Sequence, residues 1–288
     1  MAGRHINLDK FYTNKDIVGV CYDAIKTHLG IDKKELIIEP SAGNGAFINI
    51  IKKLSNNYRF YDIKPENDEI IKKDFLDLTF EDCNVASGVG VGRGVGSGVG
   101  CHIIGNPPFG NKSSKAIAFI KHSTNILMAK SVSFILPISF KKASLQKSFP
   151  PNYHLVYQTV LAPNSFTHFG IPKNIKTVFQ IWIKKDRARR VAVKITPASW
   201  YSFDKKENSD ISIRRVGSKI GFVKLCEERD NTNTNWFIKI NSVVGDIGEL
   251  LSELLGKLNS IRFNKENNVG PLSISKQDII KKYNSLRL

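Results

Sequence analysis

The stretch "ELIIEPSAGNGAFINIIKKLSNNYRFYDI", residues 35–63, constrains the fold more than any other part of the chain. "ELIIEP" is a short apolar run that reads as a buried strand, "SAGNG" is a tight turn, "AFINIIKKL" begins a helix and "YRFYDI" is a second strand. Two strands joined through a helix lie parallel, and a parallel sheet needs cover on both faces.

The same alternation continues along the chain. Residues 14–29 carry apolar residues at helical spacing, with Asn14 or Asp16 placed to cap the helix. A short helical segment is expected around "ENDEIIKK", then a strand in "CHIIGNPPF", an amphipathic helix in "SKAIAFIKHSTNILMAK" and a buried strand in "SVSFILPISF". Alternation from 15 to 140 predicts an α/β, doubly wound, mostly parallel sheet. "YHLVYQTVLA" and "KTVFQIWIKK" follow with no helix between them, which predicts an antiparallel end to the sheet. Beyond residue 184 come strand-like pieces, "VAVKIT", "ISIRRV", "GFVKL" and "WFIKI", then a helix in "GELLSELLGKL" and a basic end, "SISKQDIIKKYNSLRL". The expected organisation is therefore a domain over 1–184 and a small α+β appendage over 185–288, within reach of a 288-residue chain that is 41% hydrophobic.

The net charge of +17, with a pI near 9.7, attracts polyanions, most often nucleic acid, through phosphate neutralisation and counterion release. From residue 184 onward there are 21 basic and 12 acidic residues, a net of +9, against 22 and 14, a net of +8, in the longer first part. The tail is the more densely positive portion and a candidate nucleic-acid recognition region. Cys21, Cys83, Cys101 and Cys226 make no C-x-x-C pair, and the 6 histidines have no metal-ligand spacing, so neither a metal nor a disulfide framework is expected. No membrane-spanning run or secretion signal is present in the sequence, which reads as an intracellular chain.

"VASGVGVGRGVGSGVG", residues 85–100, has glycine at every even position from 88 to 100. G-x-G-x-x-G needs two glycines three apart, which even positions never supply, so this is no phosphate loop. It reads as a low-complexity insertion with little side-chain surface to offset the entropy of ordering it.

Candidate site residues cluster at the strand ends. In "IIEPSAGNGAF", Gly43 and Gly45 allow a sharp turn and close approach of a ligand to the backbone. Asp62, at the end of the next strand, is placed to accept from both hydroxyls of a ribose, and Asp74 to accept from an adenine amine. Glu39 would repel a pyrophosphate but suits a sulfonium ligand with an amino group, which S-adenosylmethionine carries. In "NPPF", the Asn106 side-chain carbonyl and the Pro107 backbone carbonyl, stiffened by Pro108, are two acceptors for the hydrogens of a planar –NH2 group, with Phe109 to stack on the base. Such a grip aligns the amine nitrogen with a methyl donor and stabilises the charge that develops on it.

These motifs resemble the class I S-adenosylmethionine-dependent amino-methyltransferases, in particular the adenine-N6 group in which the cofactor motif precedes N-P-P-[FY]. The resemblance covers roughly residues 9–184. It implies a Rossmann-like methyltransferase fold with a seven-stranded sheet. It also implies that Tyr12 and Thr13 of "KFYTNKDIV" sit near the methionine part of the cofactor, that Glu39, Ser41, Gly43 and Gly45 form its turn, and that Asp62, Ile63, Asp74 and Phe75 hold its adenosine. "APNSFTHFGIPKNIKTVFQIW" is similar to the later motif whose aromatic residue packs on an extruded base, which makes Phe166 and Phe169 candidates.

The implied activity is methyl transfer to adenine N6 in nucleic acid by base flipping, with the leading "FYT" inclining the substrate to DNA and "NPPFG" also found in RNA enzymes. Guanine-N2, protein glutamine-N5 and a catalytically inactive binding subunit are the competing readings; the charge of +17 opposes a protein substrate. If 85–100 is an insertion, a chain lacking 86–100 should keep its melting temperature within a few degrees; a large drop in a thermal melt would contradict that reading.

Overall fold

The computed structural model describes residues 12–86, 100–163, 165–168, 171–190, 193–241, 247–263 and 272–286. The glycine tract, apart from its ends, and Phe169 lie outside the described residues. The chain divides into two compact units, Met1–Val191 and Ala192–Leu288.

The first unit runs β1 (Tyr12–Thr13), α1 (Lys15–His28), β2 (Leu36–Glu39), α2 (Ile48–Leu54), β3 (Asn57–Asp62), β4 (Ile71–Lys72), α3 (Phe80–Ala86), β5 (His102–Gly105), α4 (Ser114–Lys121), β6 (Ser131–Pro137), α5 (Ala143–Gln146), β7 (Tyr153–Val160), β8 (Phe166–His168), β9 (Ile171–Lys173) and β10 (Thr177–Lys184). Seven strands form one sheet in the order β4-β3-β2-β5-β6-β10-β7. The first five are parallel to one another, and β10 is antiparallel to both β6 and β7. From β2 the chain builds outward through β3 and β4, then returns to lay β5 on the other side of β2. That reversal opens a crevice at the carboxyl ends of β2 and β5.

Strand β2 is buried along its whole length, and its side chains divide by the two-residue period. Leu36 and Ile38 join Ile103, Val132, Phe134 and Ala116, Phe119 and Ile120 of α4 in one core layer. Ile37 joins Ile104, Ile135, Ile17, Val18 and Ile25 of α1 and Ile48 and Ile51 of α2 in the other. Each fully buried aliphatic side chain of this kind contributes about 1.5–3 kcal/mol.

Three details differ from expectation. The segment around "ENDEIIKK" is a turn and an edge strand, not a helix: the Asn67 side chain accepts from Glu69 N (2.9 Å), a local bond that competes with helix, and β4 then pairs with β3. Between β7 and β10, β8 and β9 form a hairpin that pairs with β1, aligning Tyr12 with Thr167 and Thr13 with Phe166. The first unit also extends past 184. The Arg189 guanidinium donates to four backbone carbonyls, those of Pro150, Tyr153 (2.6 Å), Gln146 (3.0 Å) and Phe149 (2.9 Å), and lies over the Trp182 ring. Part of "KKDRARR" thus anchors the end of this unit.

The thiols of Cys83 and Cys101, 18 residues apart in sequence, lie 3.7 Å apart at the two stems of the glycine tract. Both are buried, and neither is part of a disulfide bond.

The second unit holds β11 (Tyr201–Phe203), β12 (Ile211–Arg214), β13 (Val223–Leu225), β14 (Asn235–Ile240), α6 (Ile247–Ser260) and α7 (Lys276–Tyr283). Its four strands are all antiparallel, in the order β11-β14-β12-β13. Tyr201, Ile211, Ile213 and Ile238 pack with Leu254 and Leu258 of α6 and Ile279 and Tyr283 of α7. Residues 193–196 of "VAVKIT" form no strand; Ile195 instead exchanges two hydrogen bonds of 2.9 Å with the Gln277 side chain. The basic end carries α7, opened by a reciprocal Ser275–Asp278 capping box. Among the described residues no helix is long and apolar enough to cross a membrane.

Arg189→Met keeps the apolar stem and removes the donors. It should cost about 2–3 kcal/mol in urea denaturation, while the exposed Arg190→Met should cost less than about 0.5 kcal/mol.

Candidate active site

The bend after β2 and the corner after β5 are neighbours because their strands are neighbours. Ile37 and Ile38 pair with His102 and Ile103, which brings Glu39 and Pro40 beside Gly105. A Cβ on Gly105 would lie 3.3 Å from both Glu39 Cγ and Pro40 Cδ, so the missing side chain lets the two strand ends close up. Ser41 Oγ then donates to the Asn106 carbonyl (3.0 Å), tying the glycine turn to the N-P-P-F corner.

The turn itself is built on two left-handed glycines, Gly43 (φ 55°) and Gly45 (φ 87°), and a Cβ on Gly45 would come within 2.6 Å of Ile48 Cδ1. Gly43 N donates to Asp62 Oδ2 (2.8 Å) and Lys64 N to Asp62 Oδ1 (2.7 Å). Two backbone donors thus fix the carboxylate while leaving it further lone pairs to offer. Asp74 Oδ1 accepts from Leu76 N (2.9 Å), capping the short turn Phe75–Asp77.

A cavity of about 260 Å3 opens between these elements. Ser41, Gly43, Asp62 and Ile63 line it from the β2 and β3 side, Asp74 and Phe75 from the segment after β4, and Tyr12 from β1. Asn106, Pro107, Pro108 and Phe109 line it from the β5 corner.

Thr13, Glu39 and Gly45 stand behind the wall. Thr13 Oγ1 accepts from Asn106 Nδ2 (3.3 Å), which engages the amide nitrogen and leaves Asn106 Oδ1 buried without a partner. Phe166 belongs to neither the wall nor the rim. Its ring is fully buried with Ile17, Phe47 and Phe179, because pairing of β8 with β1 turns it inward, so the expected role against a substrate base does not fit its place in the core.

The wall also holds residues that the sequence motifs do not single out: Pro40, Leu76, Gly110, Lys115, Ala118 and Phe119. Lys115, Ala118 and Phe119 share one face of α4 at i, i+3 and i+4, and Phe119 lies 5.0 Å from Phe75, ring to ring. Gly110 (φ 69°) turns the chain from the corner into the helix, and a Cβ there would lie 2.9 Å from Lys115 N.

The electrostatics are one-sided. Glu39 is 1% exposed, its Oε2 has no partner, and burial followed by repulsion from Asp62 pushes its carboxyl well above the usual range. The Tyr12 hydroxyl donates to Glu66 (2.8 Å), and burial together with that carboxylate pushes it up to about 12. Asp62 and Asp74 line the cavity itself, and Lys115 is the only cation among the lining residues. Among the described residues no group of three or more His, Cys, Asp or Glu is arranged to hold a metal ion.

No protein-family model matches the chain, and no curated protein matches it. Solved structures do resemble it. The 23S rRNA methyltransferase ErmE is 11% identical over 62% of this chain and 71% of its own, with a TM-score of 0.43. Magnesium protoporphyrin IX methyltransferase ChlM from Synechocystis PCC 6803, solved with bound S-adenosylmethionine, is 10% identical over 59% and 79%, with a TM-score of 0.40. TrmN from Thermus thermophilus is 16% identical over 58% and 49%, with a TM-score of 0.34. The seven-stranded, mostly parallel sheet with its antiparallel end is a doubly wound, Rossmann-like α/β fold.

The raised Glu39 carboxyl has a consequence for stability. In the unfolded chain it ionises in the ordinary glutamate range, whereas in the folded chain it holds its proton to higher pH, so the folded state loses stability as pH rises through the folded value. Glu39→Gln should therefore match the wild type at pH 4 and melt higher by about 3 °C or more at pH 8. A thermal-melt series across that range checks it; a constant difference at every pH would refute it.

Proposed function

We propose that the chain transfers a methyl group from S-adenosylmethionine to the N6 amine of adenine in nucleic acid, with DNA slightly favoured over RNA. One observation carries the reading: Asn106 Oδ1 is a buried acceptor without a partner, in a corner that a single hydrogen bond ties to the glycine turn. A buried orphan acceptor costs about 1–3 kcal/mol, a cost that an incoming N–H donor would remove.

The cavity residues fit the cofactor. Asp62 would take the ribose hydroxyls, Asp74 the adenine amine, and Ile63 and Phe75 the flat face of the adenine. The amino and sulfonium charges suit a cavity lined by Asp62 and Asp74, with Glu39 buried behind it. Tyr12, Ser41, Gly43 and Gly45 would shape the path of the methionine part. When bound, S-adenosylmethionine supplies an electrophilic methyl group.

The chain's own residues supply position and charge stabilisation. Asn106 Oδ1 and the Pro107 carbonyl accept the two hydrogens of the target amine, which leaves the nitrogen lone pair free to attack. The same two oxygens stabilise the positive charge that would grow on nitrogen as the methyl group leaves the sulfonium sulfur, which becomes a neutral thioether, until one amine proton passes to water. Thr13 holds the Asn106 amide in the orientation this needs, and Phe109 stacks on the base. A paired adenine cannot reach such a corner, so the base enters flipped or unpaired. No step uses a cysteine or a metal. In this reading the first unit is the transferase domain, and the basic region from 185 onward contributes nucleic-acid recognition.

Nucleoside mass spectrometry of DNA and RNA from cells making the wild type should show N6-methyladenine in DNA, and none above background with Asn106→Ala. Purified Asn106→Ala should keep its cofactor affinity within a few-fold, whereas Asp62→Ala should lose cofactor affinity first. Near-normal turnover by Asn106→Ala would overturn the catalytic assignment, and label entering only protein in a transfer assay would overturn the substrate.

A further inference from the structure

The two faces of the second unit's sheet are chemically different. Ile211 and Ile213 of β12 point to the face packed by α6 and α7, so Ser212 and Arg214 point to the other. Across the strands, Ser212 pairs with Phe237 and Lys224, and Arg214 pairs with Asn235. A pocket of about 360 Å3 lies on this face, within the size range of small-ligand clefts.

Four cations line it, Arg214, Lys219, Lys224 and Arg229, against one carboxylate, Asp230. The carboxylates at hand are already committed. Lys224 Nζ pairs with Asp230 (2.8 Å) and Glu227 (3.1 Å), and Arg229 pairs with Glu227. Among the described residues the Arg214 guanidinium donates only to neutral oxygens, Val216 O (3.1 Å) and Thr234 Oγ1 (3.2 Å). Lys219 forms no ion pair among the described residues. Two positive charges thus stay uncompensated at the mouth of a pocket with a polar floor of Ser212 and Asn235. A second, independent feature sits on the same rim: Phe222 lines the pocket with 51% of its surface exposed.

We infer that this pocket binds the sugar-phosphate backbone of a single nucleic-acid strand, with Arg214 and Lys219 on phosphate and Phe222 stacked on a base. Cations track the phosphates and an exposed ring gives any base a platform, which is the chemistry of single-strand binding. The inference rests on the nucleic-acid reading above and adds to it a location outside the methyl-transfer site.

The test uses the full chain and labelled 16-nucleotide single-stranded DNA and RNA, titrated from low to high salt. Arg214→Gln/Lys219→Gln should lower the slope of log K against log salt by about 1.4, two phosphate contacts at about 0.7 each. Phe222→Ala should weaken binding about ten-fold at constant slope. The charge-keeping Arg214→Lys/Lys219→Arg should restore the slope, which separates lost charge from lost folding. All variants should bind S-adenosylmethionine as the wild type does. Unchanged slope and affinity in the double glutamine variant would overturn the pocket while leaving the transferase reading intact. A wild type that binds neither oligonucleotide would overturn it too, and methylated nucleosides in the mass-spectrometric assay would still decide the transferase reading separately.

Discussion

The candidate site depends on the closure of two parallel strand ends against each other. Strands β2 and β5 are buried, so their register is held by the core on both faces, and a one-residue slip would turn every apolar side chain to the wrong layer. With that register held, Glu39 and Pro40 meet the chain at Gly105, where only a residue without a Cβ avoids crowding them. The Ser41–Asn106 hydrogen bond is then geometrically available, and it joins a turn suited to a cofactor to a corner suited to an amine. The proposed transfer chemistry needs both motifs at this spacing.

Polar pairing is also left incomplete at the site, as it is at a few other buried positions among the described residues. Native proteins pair the great majority of buried polar atoms, yet Asn106 Oδ1 and Glu39 Oε2 are both buried and unpartnered within this region. Both are acceptors. With Asp62 and Asp74 on the cavity wall against Lys115 alone, the lining carries more negative than positive charge, and an amine substrate and a cationic cofactor would bring the donors and positive charge that balance it. An apolar pocket, or one whose orphans were donors, would have pointed to a different ligand class.

How much of this was legible in the sequence follows from how local each signal is. The strand, turn, helix order and the N-P-P-F corner depend on contiguous residues, and eleven of the residues singled out by motif line the cavity. Lys115, Ala118 and Phe119 went unnoticed because a helix face reveals which residues travel together, and only the packing partner reveals what they face. Phe166 was misleading for the opposite reason: its motif suggested a substrate contact, but its direction is set by pairing with Thr13, 153 residues earlier. The Asx turn at Asn67, the Arg189 anchor and the contact between Cys83 and Cys101 are likewise long-range or side-chain events with no periodicity to announce them.

The second unit shows the same limit from the side of charge. Composition alone marks the C-terminal region as basic, and strand alternation separates Ser212 and Arg214 from Ile211 and Ile213. Convergence of charge needs more than alternation. The connection from β12 to β13 turns on two left-handed glycines, Gly217 (φ 99°) and Gly221 (φ 86°), and a Cβ on Gly221 would come within 2.5 Å of the Phe263 ring. That tight return closes a hydrogen bond from Gly221 N to Arg214 O (2.8 Å), which brings Lys219 and Phe222 back over the strand that carries Arg214. A diffuse excess of lysine and arginine thereby becomes a located pair of charges beside an exposed ring, and in the proposed reading it is this location, not the excess, that would favour a nucleic-acid strand over a generic polyanion.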